Sequence, residues 1–358
     1  MISICIIGKD EEAVLDKCLK ALVPYGYEII FVDTGSSDRT KQIAKTYTNF
    51  VYDFDWADDF SAARNFAISK ANFDYVLNVD CDEIVVQLDK AALERSIREN
   101  PDGVGRLHIV NDFSRKKSQN EDERFKSDSW ISRLFSKQQF HYEGRIHEQV
   151  TSVEGTQFSC YDLPVLVLHS GYDGSEEVIQ KKAERNRKLL LQELKEHPDH
   201  PYILFQLGQS YYMQHEYEKA LIYYDKMLSI DVDPRLEYVG SGVEAYGYCL
   251  IETKQYEKAL GLEGVYDTFA KTSDFVFLMG LIYMHNGMLS EAVEQFLKAT
   301  EINIEKVHGT GGFRAYYNIG VIYECVGMLQ EASEFYEKAG AYKPAKSRLL
   351  AIKKGAAE

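Results

Sequence analysis

Four glycine–alanine pairs with the same spacing constrain the second half of this chain. In each pair an alanine follows a glycine by twelve residues: Gly208/Ala220, Gly247/Ala259, Gly280/Ala292 and Gly320/Ala332. Small residues at a fixed offset allow two paired helices to approach closely, and aromatic side chains fill the remaining gaps. An aromatic residue follows the alanine by four positions in three copies (Tyr224, Phe296 and Tyr336), whereas the second copy has Glu263. The pattern predicts a repeated helix–turn–helix unit.

The distance between the glycines indicates the type of repeat. Successive glycines are 39, 33 and 40 residues apart, which fits the tetratricopeptide period of about 34 residues with two longer connections. We expect an all-α tetratricopeptide repeat domain over residues 202–358, with about four repeats. A long helix over Ser175–His197, with Ser175 as its N-cap, is expected to form a linking segment, residues 175–201. Such an array offers a concave surface for a peptide or protein, or for homodimer formation.

The first half of the chain alternates short β-branched strands with helical segments. Strands are predicted at residues 2–7, 28–32, 49–52 and 75–79. This alternation predicts a mostly parallel, Rossmann-like α/β sheet within residues 1–174. Ligands of such sheets bind outside the carboxyl ends of the strands. Acidic residues follow the second and fourth strands at those ends.

Composition excludes several functional classes. The chain has 41 basic and 56 acidic side chains and a net charge of −15, whereas nucleic-acid-binding domains usually have basic surfaces. Its six cysteines are scattered without a C-x-x-C pair, which argues against a zinc or disulfide framework and favours a reducing, cytoplasmic setting. No apolar stretch reaches the roughly 18 residues that span a bilayer. The glycine fingerprints of dinucleotide-binding and P-loop proteins are absent.

Three carboxylates within four residues follow the fourth predicted strand, in the sequence YVLNVDCDE. If the strand continued through them, Asp80 and Asp82 would share one face and Cys81 would point to the other. Neighbouring carboxylates repel each other unless a cation lies close, and oxygen ligands favour Mg²⁺ or Mn²⁺. A pair of solvated acids in a turn is the alternative. The position after a buried strand favours a metal site that attracts a diphosphate.

Two further stretches place polar residues near the same edge. In FVDTGSSDRT, turn formation explains the residues after Thr34 but not the acid Asp33, which could accept hydrogen bonds from a base or a ribose. In DDFSAARNFAISKA, Arg64 is expected in the first turn of a helix, where a cation opposes the helix dipole. An anionic ligand would explain it, and a salt bridge to Asp58 or Asp59 would explain it equally well.

The segments ISICIIGKDEE, EIIFVDTGSSDRT, DDFSAARNFAISKA and YVLNVDCDE, in this order, resemble the nucleotide-sugar domain of family 2 glycosyltransferases, which has the GT-A fold. The resemblance covers residues 1–170. The variant of this family with tetratricopeptide repeats behind the catalytic domain, which includes the sublancin-type peptide S-glycosyltransferases, is also similar to this chain. The resemblance implies an inverting, metal-dependent hexosyltransferase. Its donor would be a nucleotide-sugar, expected to be a UDP-sugar, and its acceptor a peptide, protein or glycan.

The resemblance also implies which residues bind the nucleotide. Ile7, Lys9 and Glu11, at the end of the first strand, would flank the base. Asp33 would hold the uracil or the ribose. Arg64 would lie near the nucleotide.

The resemblance implies a second set of residues for metal binding and catalysis. Asp80 and Asp82 would form the D-x-D pair, with Asp82 as the more direct ligand of Mn²⁺ or Mg²⁺. His169, at the end of the strand in VLHSGY, would be a further ligand, although a lone histidine there is more often structural. Inversion needs a general base within reach of the acceptor. Glu148 is the first candidate and Glu83 the second, and a salt bridge to a neighbouring basic residue is the competing explanation for Glu148.

Two other functions are compatible with parts of the pattern. A nucleotidyltransferase would need a glycine-rich basic loop after the first strand, where this chain has the acidic GKDEEA. A tetratricopeptide adaptor with a non-catalytic sugar-nucleotide domain is the second alternative. The polar tract Ser114–Ser129 is expected to be a solvated loop, or a mobile flap over the site.

Overall fold

The computed structural model describes residues 1–113, 125–169 and 176–355. Most of the polar tract in which we considered a flap, and the expected N-cap Ser175, lie outside these residues. The chain divides into two compact units, Met1–Glu193 and Leu194–Glu358. The division falls inside the long helix that we expected as a linking segment, Glu176–Glu196, later than the expected domain boundary at residue 174. Within the described residues, no helix is long and apolar enough to cross a membrane.

The N-terminal unit contains strands and helices in alternation, as expected. Its strands are β1 (Ile2–Gly8), β2 (Glu28–Asp33), β3 (Phe50–Asp53), β4 (Tyr75–Asn78), β5 (Glu83–Leu88), β6 (Val104–Phe113), β7 (Phe125–Ser136), β8 (Phe140–Glu143), β9 (Gln149–Ser152) and β10 (Cys160–His169). Its helices are α1 (Leu15–Leu22), α2 (Thr40–Lys45), α3 (Phe60–Ser69), α4 (Lys90–Glu99) and α5 (Glu176–Glu196). A short 3-10 turn, Val23–Tyr25, follows α1.

Eight of these strands form one sheet in the order β3-β2-β1-β4-β7-β6-β10-β5, and β8 and β9 form a separate hairpin. Strands β3, β2, β1 and β4 are parallel to one another, and β6 is parallel to β10. Strand β7 is antiparallel to β4 and β6, and β5 is antiparallel to β10. The prediction of a mostly parallel α/β sheet is therefore confirmed for the half of the sheet that carries the predicted acids.

Apolar side chains cover both faces of the sheet, because the central strands are continuous β-branched runs rather than alternating ones. On one face Ile4 and Ile6 of β1 pack in a cluster with Leu19 of α1 and Leu93 of α4. On the other face the core includes α3 and the β8–β9 hairpin, which contributes Tyr142. Helices on both faces force the ligand-binding surface to the carboxyl edge of the strands.

The C-terminal unit consists of paired helices. They are α6 (Pro201–Tyr212), α7 (Tyr217–Leu228), α8 (Glu237–Glu252), α9 (Tyr256–Ala259), α10 (Tyr266–Phe269), α11 (Ser273–His285), α12 (Leu289–Glu301), α13 (Phe313–Cys325), α14 (Leu329–Lys338) and α15 (Lys343–Gly355). The two longer connections that the glycine spacing predicts lie at residues 229–236 and 302–312.

The repeated glycines are helix contact points, as predicted. A Cβ atom at Gly280 would lie 2.7 Å from the ring of Phe296, and one at Gly320 would lie 2.6 Å from the ring of Tyr336. In the three repeats with an aromatic residue after the alanine, that ring thus packs on the glycine of the preceding helix. In the second repeat, where Glu263 replaces the aromatic residue, the second helix breaks into α9, the 3-10 segment Leu260–Val265 and α10.

Candidate active site

A cavity of about 500 Å³ lies at the carboxyl ends of the parallel strands of the N-terminal unit. The walls come from the residues after β1, β2 and β4, from the loop before α3, and from α3, the end of β10 and α5. The lining residues are Ile7, Gly8, Lys9, Asp10, Glu11, Thr34, Trp56, Phe60, Arg64, Asp80, Cys81, Asp82, His169 and Arg185. The volume is in the range of small-molecule and cofactor sites. Seven of the residues that we selected from the sequence thus meet around one space.

Asp33 is buried and is not one of the cavity-lining residues. Its Oδ2 accepts hydrogen bonds from the backbone N–H groups of Gly35 (3.3 Å) and Ser36 (3.1 Å). Within the described residues, its Oδ1 is buried and has no hydrogen-bond partner. An unsatisfied buried acceptor is unfavourable by about 1–3 kcal/mol, so a local turn does not account for this carboxylate completely. The next residue, Thr34, lines the cavity.

The D-x-D segment is a turn and not the end of a strand. Strand β4 ends at Asn78, and β5 begins at Glu83. The strand alternation that we assumed for Asp80 and Asp82 therefore does not apply. All three residues of the turn line the cavity, but the Cys81 thiol donates to the carbonyl oxygen of Ile7 at 3.3 Å, whereas the two aspartates pair with cationic side chains.

Two arginines hold Asp80. Arg64 Nη2 donates to Asp80 Oδ1 across 2.7 Å, and Arg133 Nη2 donates to Asp80 Oδ2 across 2.6 Å. Burial disfavours the charge of Asp80, but the two guanidinium groups outweigh it and hold the pKa of this carboxyl well below its usual range. The expectation that Arg64 lies in the first turn of α3 is wrong, because α3 begins at Phe60. Its salt-bridge partners are Asp80 and Glu148, not the acids before the helix.

The two candidate bases differ in their surroundings. Glu148 forms a salt bridge with Arg64 Nε and is not one of the cavity-lining residues. Glu83 is buried, accepts the backbone N–H of Asp80 at 2.8 Å and receives Arg133 Nη2 at 3.3 Å. Burial and the nearby charge of Asp80 raise the pKa of Glu83. Both carboxylate oxygens of Glu83 thus stabilise the turn, which does not favour its use as a base.

The second aspartate of the turn, Asp82, contacts His169. His169 pairs with Glu83 in the β10–β5 register, and this brings His169 Nε2 to 3.2 Å from Asp82 Oδ2. The hydrogen bond to Asp82 raises the pKa of His169.

The donors around the D-x-D turn can form part of a metal site. Within the described residues, no three histidine, cysteine or acidic side chains converge as a complete metal site. Asp82 and His169 are nevertheless adjacent donors on a cavity wall, and Mg²⁺ is often held by one or two carboxylates together with substrate phosphates. Asp82 and His169 therefore fit a divalent cation that is bound jointly with a diphosphate. Asp80 instead pairs with Arg64 and Arg133.

Sequence reasoning missed four residues of this site. Trp56 and Phe60 line the cavity with their rings in edge-to-face contact, at a centroid distance of 4.8 Å. Arg185 of α5 lines it as well, and Arg133 of β7 contacts the D-x-D turn from outside the lining. Phe60 stood in the segment DDFSAARNFAISKA, which we selected only for Arg64, and Trp56 lies two residues before that segment. No local signal marks either arginine.

An α/β sheet with an acidic turn at its carboxyl edge, combined with helical repeats, defines a GT-A-like protein with a repeat domain. Residues 3–151 match the family model described as glycosyl transferase family 2. Residues 201–233 and 275–341 match models of the tetratricopeptide repeat, and the irregular second repeat lies between these two segments. Residues 3–151 are thus similar to family 2 glycosyltransferases and the later segments to tetratricopeptide repeats, as we inferred.

One curated relative is named for its TPR repeats, and others are named as glycosyltransferases. The chain is 32% identical over 217 residues to a TPR repeat-containing protein of Synechococcus elongatus, covering 58% of this chain and 51% of that protein. It is 26% identical over 241 residues to the SPbeta prophage-derived glycosyltransferase SunS of Bacillus subtilis, covering 63% and 52%. It is 33% identical over 99 residues to the lipopolysaccharide core biosynthesis glycosyltransferase LpsC of Rhizobium meliloti, covering 26% and 34%. The chain spans about half the length of the first two.

Solved structures of helical repeat proteins match this chain with lower sequence identity. The crystal structure of MamA is 20% identical, with a TM-score of 0.39, and the match covers 51% of this chain and 95% of that chain. The crystal structure of YrrB, titled a TPR protein with an unusual peptide-binding site, is 24% identical with a TM-score of 0.41, covering 49% and 86%. The assignment of the domains rests on the family models and on the geometry described above.

Proposed function

We propose that the N-terminal unit transfers a sugar from a nucleotide-sugar, a UDP-sugar, to an acceptor with inversion at the anomeric carbon. The observation that carries this proposal is a single cavity, at the carboxyl ends of parallel strands, that brings together the D-x-D turn, His169 and Arg64. The match to glycosyltransferase family 2 over residues 3–151 supports it independently.

In this proposal the nucleotide lies along the residues that follow β1. Ile7, Lys9 and Glu11 flank the base, and Thr34 continues the same wall. Asp33, whose Oδ1 has no partner within the described residues, accepts a hydrogen bond from the uracil or the ribose. Arg64 is already charge-paired with Asp80 and Glu148, and it sets the position of the turn beneath the diphosphate.

Asp82 and His169 would hold Mn²⁺ or Mg²⁺ in this site. A divalent cation there would act as a Lewis acid that neutralises negative charge on the departing diphosphate. In this proposal Asp80 is not a direct ligand of the cation, unlike in our expectation from the sequence. Its two salt bridges fix the turn that presents Asp82, so we assign it to positioning.

The transfer itself needs an activated acceptor. The acceptor atom forms a bond to the anomeric carbon while the bond from that carbon to the diphosphate oxygen breaks, and the electron pair leaves with the nucleoside diphosphate. The proton of the acceptor passes to a general base. We propose Glu148 as this base, with Arg64 holding one of its oxygens. Glu83 remains the second candidate, although its contacts favour a structural role.

The acceptor is proposed to be a peptide or protein bound with the help of the repeats. The resemblance to sublancin-type peptide S-glycosyltransferases supports this, and so does the use of tetratricopeptide arrays as concave binding surfaces. A glycan acceptor and self-association through the repeats are the other arrangements to be tested. Light scattering of the purified chain tests self-association, since a homodimer doubles the mass of 41.0 kDa.

A donor screen tests the proposed activity. The protein is incubated with UDP-, GDP- and dTDP-sugars and Mn²⁺, and released nucleoside diphosphate is quantified. We expect slow hydrolysis of one donor, lost in Asp82→Ala and retained in Asp162→Ala, whose carboxylate pairs with Arg106 on an exposed surface. Absence of turnover combined with absence of metal-dependent nucleotide binding in calorimetry would overturn the proposal.

A further inference from the structure

Arg185 is a cavity residue that lies outside the segment matched by the glycosyltransferase family model. Helix α5 carries it, and its guanidinium carbon lies 5.3 Å from the centroid of the Phe60 ring. Trp56 packs edge-on against the same ring. A guanidinium stacked on an aromatic face is held in place while its N–H groups remain available at the edge. The geometry therefore presents a pre-oriented hydrogen-bond donor to the cavity.

Two other cationic side chains that line the cavity, Arg64 and His169, have acidic partners. Arg64 is paired with Asp80 and Glu148, and His169 is in contact with Asp82. Arg185 differs from them, because among residues 1–113, 125–169 and 176–355 it forms no salt bridge. Its hydrogen bonds there go to the amide oxygen of the adjacent Asn186, at 3.2 and 3.0 Å.

Arg185 is exposed as a whole residue, but neighbouring atoms partly desolvate its guanidinium group. Desolvation lowers its pKa, although the charges of Glu11 and Asp58 act in the opposite direction. Because the side chain is still accessible to water, this desolvation is only a small cost to the folded state. The contact with Phe60 offsets part of this cost. An anionic ligand in the cavity would supply the missing partner.

We propose that Arg185 binds the diphosphate of the donor and stabilises it as it leaves. Phe60 is the positioning residue that holds the guanidinium. The inference rests on the proposed function, since it requires a nucleoside diphosphate in this cavity. When the bond between the anomeric carbon and the diphosphate oxygen breaks, the additional negative charge on that oxygen strengthens the hydrogen bonds from Arg185.

Calorimetric titration with UDP in the presence of Mn²⁺ tests the role of Arg185, with uridine measured by displacement. Hydrogen bonds to charged groups are worth about 1.5–3 kcal/mol, which corresponds to a loss of roughly 10- to 100-fold in UDP affinity for Arg185→Gln. Uridine affinity should change less than about twofold, since a nucleoside has no phosphate to contact. Arg185→Lys should recover part of the loss, because it keeps the charge without the planar fork.

Lys188→Gln is the matched control, because it removes an exposed cation from the same helix that does not line the cavity. Thermal unfolding of both variants checks that the fold is retained. Equal UDP affinity in Arg185→Gln and Lys188→Gln overturns the role of Arg185, and so does an equal loss of uridine and UDP affinity. If the wild-type protein binds none of UDP, GDP and dTDP, the proposed function itself fails and this inference fails with it.

A double-mutant cycle tests the role of Phe60. We expect Phe60→Leu to weaken UDP binding in the wild-type background and to have little further effect in the Arg185→Gln background, because the ring acts through the guanidinium. An additive loss in the double variant would show that Phe60 contacts the nucleotide or shapes the cavity itself, which contradicts a positioning role.

Discussion

Arg133 Nη2 donates to Asp80 Oδ2 across 2.6 Å, and this contact ties strand β7 to the turn that follows β4. The same nitrogen reaches Glu83 Oε1 at 3.3 Å. Arg133 therefore compensates two carboxylates of the D-x-D turn, with Arg64 on the other oxygen of Asp80. The positive charges that neutralise Asp80 and Glu83 are therefore those of Arg64 and Arg133.

Removal of Arg133 should destabilise the N-terminal unit. Arg133→Met leaves the buried Glu83 without its cation, and breaking one side of a buried pair typically lowers the free energy of unfolding by about 3 kcal/mol or more. Arg106→Met is the control, since its salt bridge with Asp162 is solvent-exposed and such pairs contribute only about 0–1 kcal/mol. Urea denaturation of both variants measures the difference. Similar losses would contradict a structural role for the Arg133 network.

Glu148→Gln should lower turnover while leaving donor binding nearly unchanged. A missing general base typically reduces the rate by about 10²- to 10⁴-fold, whereas the amide still accepts a hydrogen bond from Arg64. Donor hydrolysis and UDP calorimetry measure the two effects separately. Glu143→Gln is the control, because that glutamate pairs with His141 on an exposed surface. A matching loss of UDP affinity would identify Glu148 as a partner that orients Arg64.

Asp33→Asn should distinguish base recognition from ribose recognition. Asparagine can retain the turn hydrogen bonds to Gly35 and Ser36, but it can offer a donor where the unpartnered Oδ1 now lies. If that oxygen accepts the uracil N–H, UDP affinity falls by about tenfold and CDP affinity does not. If it accepts a ribose hydroxyl, both fall equally. Asp53→Asn, on the exposed end of β3, is the control, and unchanged UDP and CDP affinity would remove Asp33 from the site.

Gly280→Ala should destabilise the repeat unit. Its new Cβ atom would lie 2.7 Å from the buried ring of Phe296, and overpacking of this kind usually costs about 1–3 kcal/mol. Gly261→Ala meets no atom within 4 Å, so it should be neutral or stabilising by up to about 1 kcal/mol. Chemical denaturation compares the two. Equal stability of the two variants would mean that the helices can move apart at Gly280 without a cost in free energy of unfolding.

The repeated helices and the parallel half of the sheet could be read from the sequence, because both depend on short-range patterns. Glycine spacing with a following aromatic residue encodes helix packing at Gly280 and Gly320, and β-branched runs encode buried strands. Even the broken second repeat has a local signal, Glu263 in place of the aromatic residue. The acids at the strand ends were recognisable for the same reason.

Only the tertiary structure decided which charges meet. Arg133 is 53 positions from Asp80 in the sequence, and the two are brought together because β7 lies beside β4 in the sheet. His169 reaches Asp82 through the pairing of β10 with β5. Arg185 lines the cavity from helix α5, which follows both strands in the sequence. Strand order and long-range register are set by packing of the whole sheet, whereas periodicity within one segment records only which face of that segment is buried.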